Sequence, residues 1–396
     1  MPLSKILASS IAEGAVGGGH EYVSLTGTSQ TLDLSQGNYF DGGTLSGNTT
    51  LTFSNVPTEH RWTYTYKSGG ADASGDVTKL NFSKKHFFIG NDISASTGMT
   101  FKPDGTEMYI CGGTDEKLYQ YTLSTAYNIA TASLTNTKTV GGAGSAQNAL
   151  DRPQGVYFKS DGTKMILSQT SPSGGDPDGL QEWDLSTAWD ISTASFVRER
   201  TYSPDLDAGD IVFKSDGTKA LMIQSDNIYE YTLSTGWNIS TLTQTDTFQA
   251  NGTPFYFTEG RAMGVSSDGT KVYVADRNTR QMKKIVFATG WDVSSTVSSS
   301  TSSNAIFGFD LLFQIQSSMT GMFLKSDESV IWVNGDSTDS VYEYKFSDLY
   351  TVTLPNSVQN NRTLTLFPDQ TNTLEFYTAD GGTNVFLINE TQTENK

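Results

Sequence analysis

The sequence predicts an all-β protein: a five-bladed β-propeller inserted into a discontinuous β-sandwich domain, with an N-terminal docking peptide. Three observations predict this fold class. They are a glycine-rich and aromatic composition, a strand-and-turn unit that occurs five times, and two similar segments that flank the repeats. The chain has 396 residues, with 38 Gly, 18 Tyr and 21 Phe, and this mixture favours strands joined by many turns.

An Asp-centred turn defines the repeat. Its first copy stands in "FKPDGTEMYI", residues 101–110, and the next two in "FKSDGTKMIL" and "FKSDGTKALM". Apolar residues three and five positions before each Asp follow the two-residue period of a strand. The unit repeats every 52 to 59 residues. Four strands in a unit of this length are typical of one propeller blade, so five copies predict five blades. The five turn residues are Asp104, Asp161, Asp216, Asp268 and Asp327.

The last strand of the fifth blade is missing from the C-terminal side of the repeats. The fifth copy ends with "VYEYKFSD", residues 341–348, and a different sequence style follows. The segment "VTKLNFSKKHFFIG", residues 77–90, precedes the first repeat at the place where a fourth strand precedes every other repeat. We expect it to complete the fifth blade, because ring closure removes two open sheet edges.

Two flanking segments, residues 20–68 and 349–396, share short alternating strands and polar turns. Each is small for an independent core, whereas together they match one β-sandwich domain. The propeller, residues 69–348, would then be inserted between the two halves, beginning at the polar loop "KSGGADASG".

Residues 1–19 form the predicted docking peptide and its linker. Their glycines, "GAVGGG", are typical of a flexible linker. The apolar side chains ahead of the linker form a stripe that could bind a partner, and a frayed terminus is the alternative. The predicted partner-binding residues are Leu3, Ile6, Leu7 and Ile11.

Charge and composition exclude several function classes. The formal net charge of −17 disfavours nucleic-acid binding. No apolar run approaches the ~18 residues of a membrane span. The single cysteine, Cys111, and the three histidines, His20, His60 and His86, argue against a zinc site and against a catalytic triad. Surface or interface positions are expected for these histidines. We therefore predict no catalytic residues, no metal ligands and no cofactor.

Two acidic loops leave calcium open as an alternative. Asp176 and Asp178 lie in "SPSGGDPDG", and Asp205, Asp207 and Asp210 lie in "DLDAGD". Carboxylates are the hard ligands that Ca²⁺ prefers, but neither loop has the twelve-residue calcium pattern. Aspartates are also common in polar turns, and this second interpretation is favoured.

Large aromatic residues recur at one position of the repeat: Tyr127, Trp189, Trp237 and Trp291. Exposed rings of this kind could bind sugars. Because a residue that recurs in every blade is more often used in packing, where rings bury large apolar areas, the packing interpretation is favoured.

The flanks also resemble a known group of proteins. "LSQGNYFDGGTLSGNTTLTFSN" (34–55), "YTVTLPNSV" (350–358) and "FYTADGGTN" (376–384) resemble a small β domain of tail fibres and related virion proteins of bacteriophages, especially marine ones. In that family the two parts are usually joined by one short hairpin, whereas here the propeller separates them. The opening "MPLSKILASSIAEG" resembles the leader that docks such fibres onto the particle, and the repeat resembles propeller repeats of the same phages and of bacterial surface proteins.

The resemblance implies a non-enzymatic virion structural protein, a tail fibre or a capsid-surface appendage, located on the particle. Expected partners are other virion structural proteins and a host-surface glycan or receptor, and the family leads us to expect a homo-oligomer, a trimer in most fibres. Two alternatives remain: a metal-dependent, lactonase-like propeller hydrolase, and a bacterial surface glycan-binding protein.

Overall fold

The computed structural model describes residues 22–68, 76–77, 80–141, 152–170, 178–201, 209–250, 257, 259–301, 319–335, 339–346, 351–359, 363–365 and 370–394. The chain divides into two compact units, one formed by Met1–Asp72 with Ser347–Lys396 and the other by Ala73–Phe346. Within the described ranges, no helix has the length and apolar character needed to cross a bilayer.

The described residues of the first unit form nine strands in two mixed sheets. One sheet has the order β1-β3-β5-β28-β29 and the other β2-β4-β26-β27. In chain order these strands are β1 (Tyr22–Ser24), β2 (Ser29–Asp33), β3 (Tyr39–Leu45), β4 (Thr49–Ser54), β5 (His60–Ser68), β26 (Thr351–Thr353), β27 (Thr363–Thr365), β28 (Gln370–Thr378) and β29 (Val385–Glu394).

The chain alternates between the two sheets over its first five strands. β1, β3 and β5 pair in parallel in one sheet, and β2 and β4 pair in parallel in the other. Alternate side chains of each strand point inward, and side chains of both sheets form one core that includes Leu32, Trp62, Val352 and Phe376. The N-terminal and C-terminal segments therefore share a single sandwich core.

The second unit consists of five four-stranded antiparallel sheets, the blades of the propeller. β6 (Leu80–Phe88) belongs to blade 5. Blade 1 contains β7 (Ser96–Phe101), β8 (Glu107–Gly112), β9 (Lys117–Leu123) and β10 (Ala132–Thr139). Blade 2 contains β11 (Arg152–Phe158), β12 (Lys164–Thr170), β13 (Gly179–Leu185) and β14 (Ala194–Thr201). Blade 3 contains β15 (Ile211–Phe213), β16 (Lys219–Gln224), β17 (Asn227–Leu233) and β18 (Leu242–Gln249). Blade 4 contains β19 (Gly260–Val265), β20 (Lys271–Asp276), β21 (Gln281–Phe287) and β22 (Thr296–Thr301), and blade 5 contains β23 (Met319–Leu324), β24 (Val330–Gly335) and β25 (Ser340–Phe346) besides β6.

The Asp-centred turn, Asp-Gly-Thr in blades 1 to 4 and Asp-Glu-Ser in blade 5, reverses the chain between the first two strands of a blade. In blade 1, Oδ1 of Asp104 accepts hydrogen bonds from the backbone N–H of Thr106 at 2.9 Å and from its hydroxyl at 2.6 Å. Gly105 has a φ of 74°, which a side chain would strain. The same bonds recur at Asp161, Asp216, Asp268 and Asp327.

The N-terminal strand closes the ring, as predicted. β6 pairs antiparallel with β25, from Leu80 opposite Phe346 to Phe88 opposite Ser340. The innermost strands β7, β11, β15, β19 and β23 contact one another in succession, and β23 also contacts β7. The described strands therefore form a closed ring of five blades.

A short 3₁₀ turn precedes the outermost strand of the first four blades. Its first residue is buried, and an Asn or Asp before it accepts a hydrogen bond from the turn backbone. In blade 5, Val77 takes the place of that buried first residue. It stands three residues before β6, directly follows Asp76 and is fully buried. The four 3₁₀ turns are Ile129–Thr131, Ile191–Thr193, Ile239–Thr241 and Val293–Ser295.

Candidate functional site

The predicted docking residues cannot be placed in the fold. Leu3, Ile6, Leu7 and Ile11 lie outside the described residues, which begin at residue 22. Their role as a partner-binding stripe stays a prediction.

The centre of the propeller is the place where a propeller hydrolase would hold its metal. A Cβ added to Gly98 would lie 2.4 Å from the carbonyl oxygen of Gln154, and one on Gly321 would lie 2.2 Å from that of Thr97. The innermost strands of neighbouring blades thus approach so closely that small residues are needed there. We call the five equivalent positions the central ring: Gly98, Gly155, Asp210, Ala262 and Gly321.

Asp210 is the single acidic member of the central ring. Its Oδ1 accepts from the N–H of Ile211 at 2.9 Å, and its Oδ2 accepts from the N–H of Met263 in blade 4 at 3.3 Å. Burial raises the pKa of this carboxyl to about 8, although the two backbone N–H groups oppose the rise. A Cβ on Gly155 would lie 2.5 Å from Oδ1, so glycine at 155 leaves the space that the carboxyl fills. Asp210 therefore bridges blades 3 and 4.

The acidic loops do not assemble a cation site within the described ranges. Asp178 is buried at 3% exposure and has interaction partners, and Asp210 is engaged as above. Asp176, Asp205 and Asp207 lie outside the described residues. In the part of the chain that the structure describes, no three His, Cys, Asp or Glu side chains are grouped so that they could hold a metal ion.

The recurring aromatic residues cover the turn glycines of their own blades. The backbone N–H of Trp237 donates to the carbonyl of Gly217 at 3.1 Å, and a Cβ on that glycine would lie 2.5 Å from the indole ring. The aromatic residue itself has a φ of 66° in this example. The same arrangement is found at Tyr127, Trp189 and Trp291, so these rings are packing elements, as the sequence favoured.

A polar contact between successive blades was missed from the sequence. The side chain of Glu230 in blade 3 accepts from the N–H of Val293, the first residue of the blade 4 turn, at 3.1 Å. Glu182 accepts from Ile239 at 3.2 Å, and Gln120 accepts from Ile191 at 3.2 Å. The available signal was the Glu or Gln that recurs at one position of the third strand.

Blade 4 departs from this pattern. Lys284 stands at the position that Gln120, Glu182 and Glu230 hold in the first three blades. Burial lowers the pKa of Lys284, and the Asp76 carboxylate opposes that shift. Asp76 precedes Val77 and belongs to blade 5, so the interface between blades 4 and 5 brings a cation near an acid, whereas the interfaces between blades 1 and 2, 2 and 3, and 3 and 4 use a side-chain acceptor and a backbone N–H.

The two described histidines are held by local contacts. His60 lies 2.6 Å from Oδ1 of Asn38 through its Nε2 and stacks on Trp62. His86 stacks on the ring of Tyr342, with 6.1 Å between ring centroids. His20 lies outside the described residues.

The hairpin between β20 and β21 contains two arginines. We call residues 277–280, Arg-Asn-Thr-Arg, the blade-4 hairpin. The buried carboxylate of Asp276 accepts from the N–H groups of Asn278 and Thr279 at 3.2 and 3.4 Å. Arg280 takes a φ of 56° and donates its own N–H to the Asp276 carbonyl. The Asp276 carboxylate and the backbone therefore fix the turn, while Arg280 is exposed and Arg277 is partly buried beside Glu259.

Comparisons with known proteins indicate no family. No protein-family model matches the chain, and no curated protein matches it. Similar solved structures include a functionally unknown protein from Desulfotomaculum acetoxidans, with 10% identity, coverage of 76% of this chain and 90% of that chain, and a TM-score of 0.38. Glutaminyl cyclase from Myxococcus xanthus has 11% identity, 68% and 97% coverage and a TM-score of 0.46. Hydrazine synthase from Kuenenia stuttgartiensis has 11% identity, 63% and 70% coverage and a TM-score of 0.35.

None of these three is described as a phage protein. The architecture rests on the strand order of this chain, which forms five four-stranded blades and two further mixed sheets. The chain is a five-bladed β-propeller protein of unknown family.

Proposed function

We propose that this protein is a non-enzymatic structural protein of a bacteriophage virion, a tail fibre or capsid-surface appendage. Its N-terminal peptide, with Leu3, Ile6, Leu7 and Ile11, attaches it to other virion proteins. The propeller is the displayed head and contacts a host-surface glycan or receptor. The assembled form is a homo-oligomer, a trimer by the resemblance to fibres.

The observation that carries the proposal is the way in which the propeller is inserted. Leu80, near the start of the propeller segment, pairs directly with Phe346 at its end. Both chain ends of the insertion therefore leave from the same blade, and the ring is complete without strands from elsewhere. Such a module can be added to a structural protein without disturbing its core, which is how display domains are tolerated.

A second observation supports a binding role over a catalytic one. The polar residues that recur in the blades bond to the propeller's own backbone, as the hydrogen bonds of Asp104 and Glu230 illustrate. The connections between blades vary instead in length and sequence: residues 140–151, 202–210, 250–259 and 302–318 separate successive blades. Variable connections on a rigid scaffold are the usual location of recognition surfaces.

Deletion of residues 1–14 tests the attachment. We expect particles without this protein, while the truncated chain still folds and unfolds with the stability of the full chain. A matched pair of full-length variants sharpens the test: serine at Leu3, Ile6, Leu7 and Ile11 should abolish incorporation, because the apolar stripe is lost, whereas alanine at Ser4, Ser9 and Ser10 should preserve it.

Immunogold electron microscopy of the particles provides the readout and distinguishes tail from capsid. Incorporation of the serine variant at the normal level would overturn the attachment mechanism. Stoichiometric Ca²⁺ in the purified protein together with ester or lactone hydrolysis would instead favour the metal-dependent hydrolase.

A further inference from the structure

The Asp-centred turn of blade 5 differs from the other four. In blades 1 to 4 the residue after the Asp is a glycine with a positive φ, and an aromatic ring of the same blade covers it. In blade 5 this residue is Glu328, with a φ of 56°. The sequence has Gly75, before Asp76, where the other blades have the aromatic residue. A left-handed backbone costs a glutamate free energy that a glycine avoids, so a role for the Glu328 side chain is indicated.

The carboxylate of Glu328 contacts the neighbouring blade. It accepts hydrogen bonds from Nζ of Lys271 at 3.0 and 2.9 Å and from the hydroxyl of Tyr273 at 2.6 Å. Both donors lie on β20 of blade 4. Burial, together with the bond to Glu328, raises the pKa of Tyr273, so its hydroxyl stays a donor. Glu328 therefore joins blade 5 to blade 4.

The equivalent donors of blades 1 and 3 bind backbone instead. Nζ of Lys219 donates to the carbonyl oxygen of Trp291 at 2.9 Å, and the hydroxyl of Tyr109 donates to that of Trp189 at 2.6 Å. A backbone carbonyl is held by its own chain and carries no net charge. A carboxylate on a flexible side chain can turn away, and its attraction to an ammonium group is screened by salt. The contact between blades 4 and 5 thus depends on a side-chain ion pair.

The centre of the ring shows a parallel change. Blade 4 has Ala262 and Ala275 at the places that Asp210 holds in blade 3 and Asn334 holds in blade 5, and alanine has no polar side-chain atom. At the other four interfaces a polar side chain of one blade bonds to the backbone of the next. These bonds join Thr97 to Pro153, Ser168 to Gly209, Asp210 to Met263 and Asn334 to Thr97.

Apolar packing does not distinguish the interfaces. Tyr273, Met322 and Val333 belong to one buried cluster of blades 4 and 5, and each of the other interfaces has a cluster of its own. The chain between blades 4 and 5, residues 302–318, is the longest connection between successive blades, whereas residues 89–95, between blades 5 and 1, are the shortest. Each blade is a separate four-stranded sheet, so separation of blades 4 and 5 leaves the hydrogen bonds within every sheet in place.

We propose that the interface between blades 4 and 5 is a seam at which the propeller ring opens, and that Glu328, bound to Lys271 and Tyr273, is the latch that keeps it closed. Rising salt favours opening, because the side chains of Lys271 and Glu328 are 31% and 15% exposed and their attraction is screened. The inference concerns the propeller alone and does not depend on the virion role.

Cysteine labelling of the full chain measures the opening. Val333→Cys places a thiol in the seam, and Val274→Cys places one at the equivalent position between blades 3 and 4. Both valines are 0% exposed. The native Cys111, also fully buried, reports the interface between blades 1 and 2 in the same molecule. An excess of a thiol-alkylating reagent, followed by peptide mass spectrometry, gives the rate at each position.

We expect the thiol at position 333 to be labelled about tenfold faster than those at 274 and 111, and its rate to rise about threefold from low to high salt. Glu328→Gln keeps the shape of the side chain and removes its charge. It should raise the rate at 333 about tenfold, leave the rate at 274 unchanged and remove most of the salt dependence. Glu116→Gln, at a φ of 54° in blade 1, is the matched control and should change none of the rates.

Equal rates at 333 and 274 at both salt concentrations would overturn the seam, and an unchanged rate in Glu328→Gln would overturn the latch. Global unfolding exposes all three thiols together, so parallel acceleration at 333, 274 and 111 would also contradict the proposal. If urea unfolding shows that Val333→Cys does not fold, Met282→Cys, fully buried in the same cluster, takes its place with the same expected rates.

Discussion

The two ends of each blade follow different rules. At the Asp-Gly end, turns such as 104–106 and 216–218 repeat with the same hydrogen bonds, and an aromatic ring covers the glycine in blades 1 to 4. At the hairpin end, between the second and third strands, the loops change in length and in charge, from Glu116 to Arg280. The comparison teaches that repetition marks the scaffold of this propeller and variation marks its candidate recognition surface.

The difference has a physical cause. At the Asp-Gly end, the turn glycine and the ring that covers it each take a left-handed backbone conformation, so both positions restrict which residues fit. The described hairpin of blade 4 is fixed by the Asp276 carboxylate and by backbone hydrogen bonds to Asp276 and Glu259, and residues 278–280 are exposed. Exposed side chains contribute little to stability, so they can change without loss of the fold.

The largest expected effect is at the Asp-Gly end. Gly269→Ala places a Cβ 2.1 Å from the Trp291 ring at a φ of 73°, and we expect a loss of about 3 kcal/mol in the free energy of unfolding. Gly27 has a φ of 81° with nothing within 4 Å, so Gly27→Ala should cost only about 1 kcal/mol. Urea unfolding measures both. Equal losses would mean that the ring packing contributes nothing.

The blade-to-blade contact comes next. Glu230 is buried and accepts from Val293 N–H and, at 2.7 Å, from Lys219. Glu230→Ala leaves both donors without this acceptor, and a loss of about 2–3 kcal/mol is expected. The exposed Glu199→Ala is the control, with an expected change below about 0.5 kcal/mol. Similar unfolding midpoints for the two variants would contradict a stabilising role of the contact between Glu230 and Val293.

Asp210 gives a pH dependence of opposite sign to that of the turn aspartates. Burial raises its folded pKa to about 8, above the ordinary value of 3.8. The folded state keeps this carboxyl protonated to a higher pH than the unfolded state does. The contribution of Asp210 to the free energy of unfolding is therefore greatest below pH 4. It falls between about pH 4 and pH 8, by at most about 1.4 kcal/mol per pH unit. Asp210→Asn should flatten that decline in unfolding measured at pH 5 and pH 8.

Asp216 is the matched control for this titration. Lys214 and Thr218 lower its pKa to about 2, so its contribution is present above the ordinary pKa and is lost as pH falls toward 2. Asp216→Asn should therefore leave the slope between pH 5 and pH 8 unchanged. An identical slope in the parent and the Asp210 variant would show that the central carboxyl does not titrate there.

The smallest effect is expected at the hairpin end. Exchange of the two charges, Glu116→Arg with Arg280→Glu, keeps both left-handed positions and alters one exposed and one partly exposed side chain. The free energy of unfolding should change by less than about 0.5 kcal/mol. If thermal unfolding showed a large loss, the hairpin end would belong to the scaffold, and the comparison above would fail.

Much of the propeller could be predicted because its signals are local and repeated. The five Asp-centred turns gave the number of blades, and the missing fourth strand of the last repeat identified residues 77–90 as its replacement, which β6 confirms. The similarity of Asp76-Val77 to Asp292-Val293, which both precede an outermost strand, was an available signal that went unused. The blade-to-blade acceptors were missed because a polar residue between buried ones on a strand can also face solvent.

The sequence by itself determined the fold class, the number of blades and the packing role of Trp189 and Trp237, because turn chemistry and strand period are properties of neighbouring residues. Tertiary structure alone decided three further features. The first is the parallel pairing of β1 with β3 and of β2 with β4, and the second is the bridge that Asp210 makes between blades. The third is the pair of salt bridges that Arg261 and Arg277 make with Glu259. Each depends on which distant segments come together in space, and the sequence pattern of one strand carries no information about the partner that it meets.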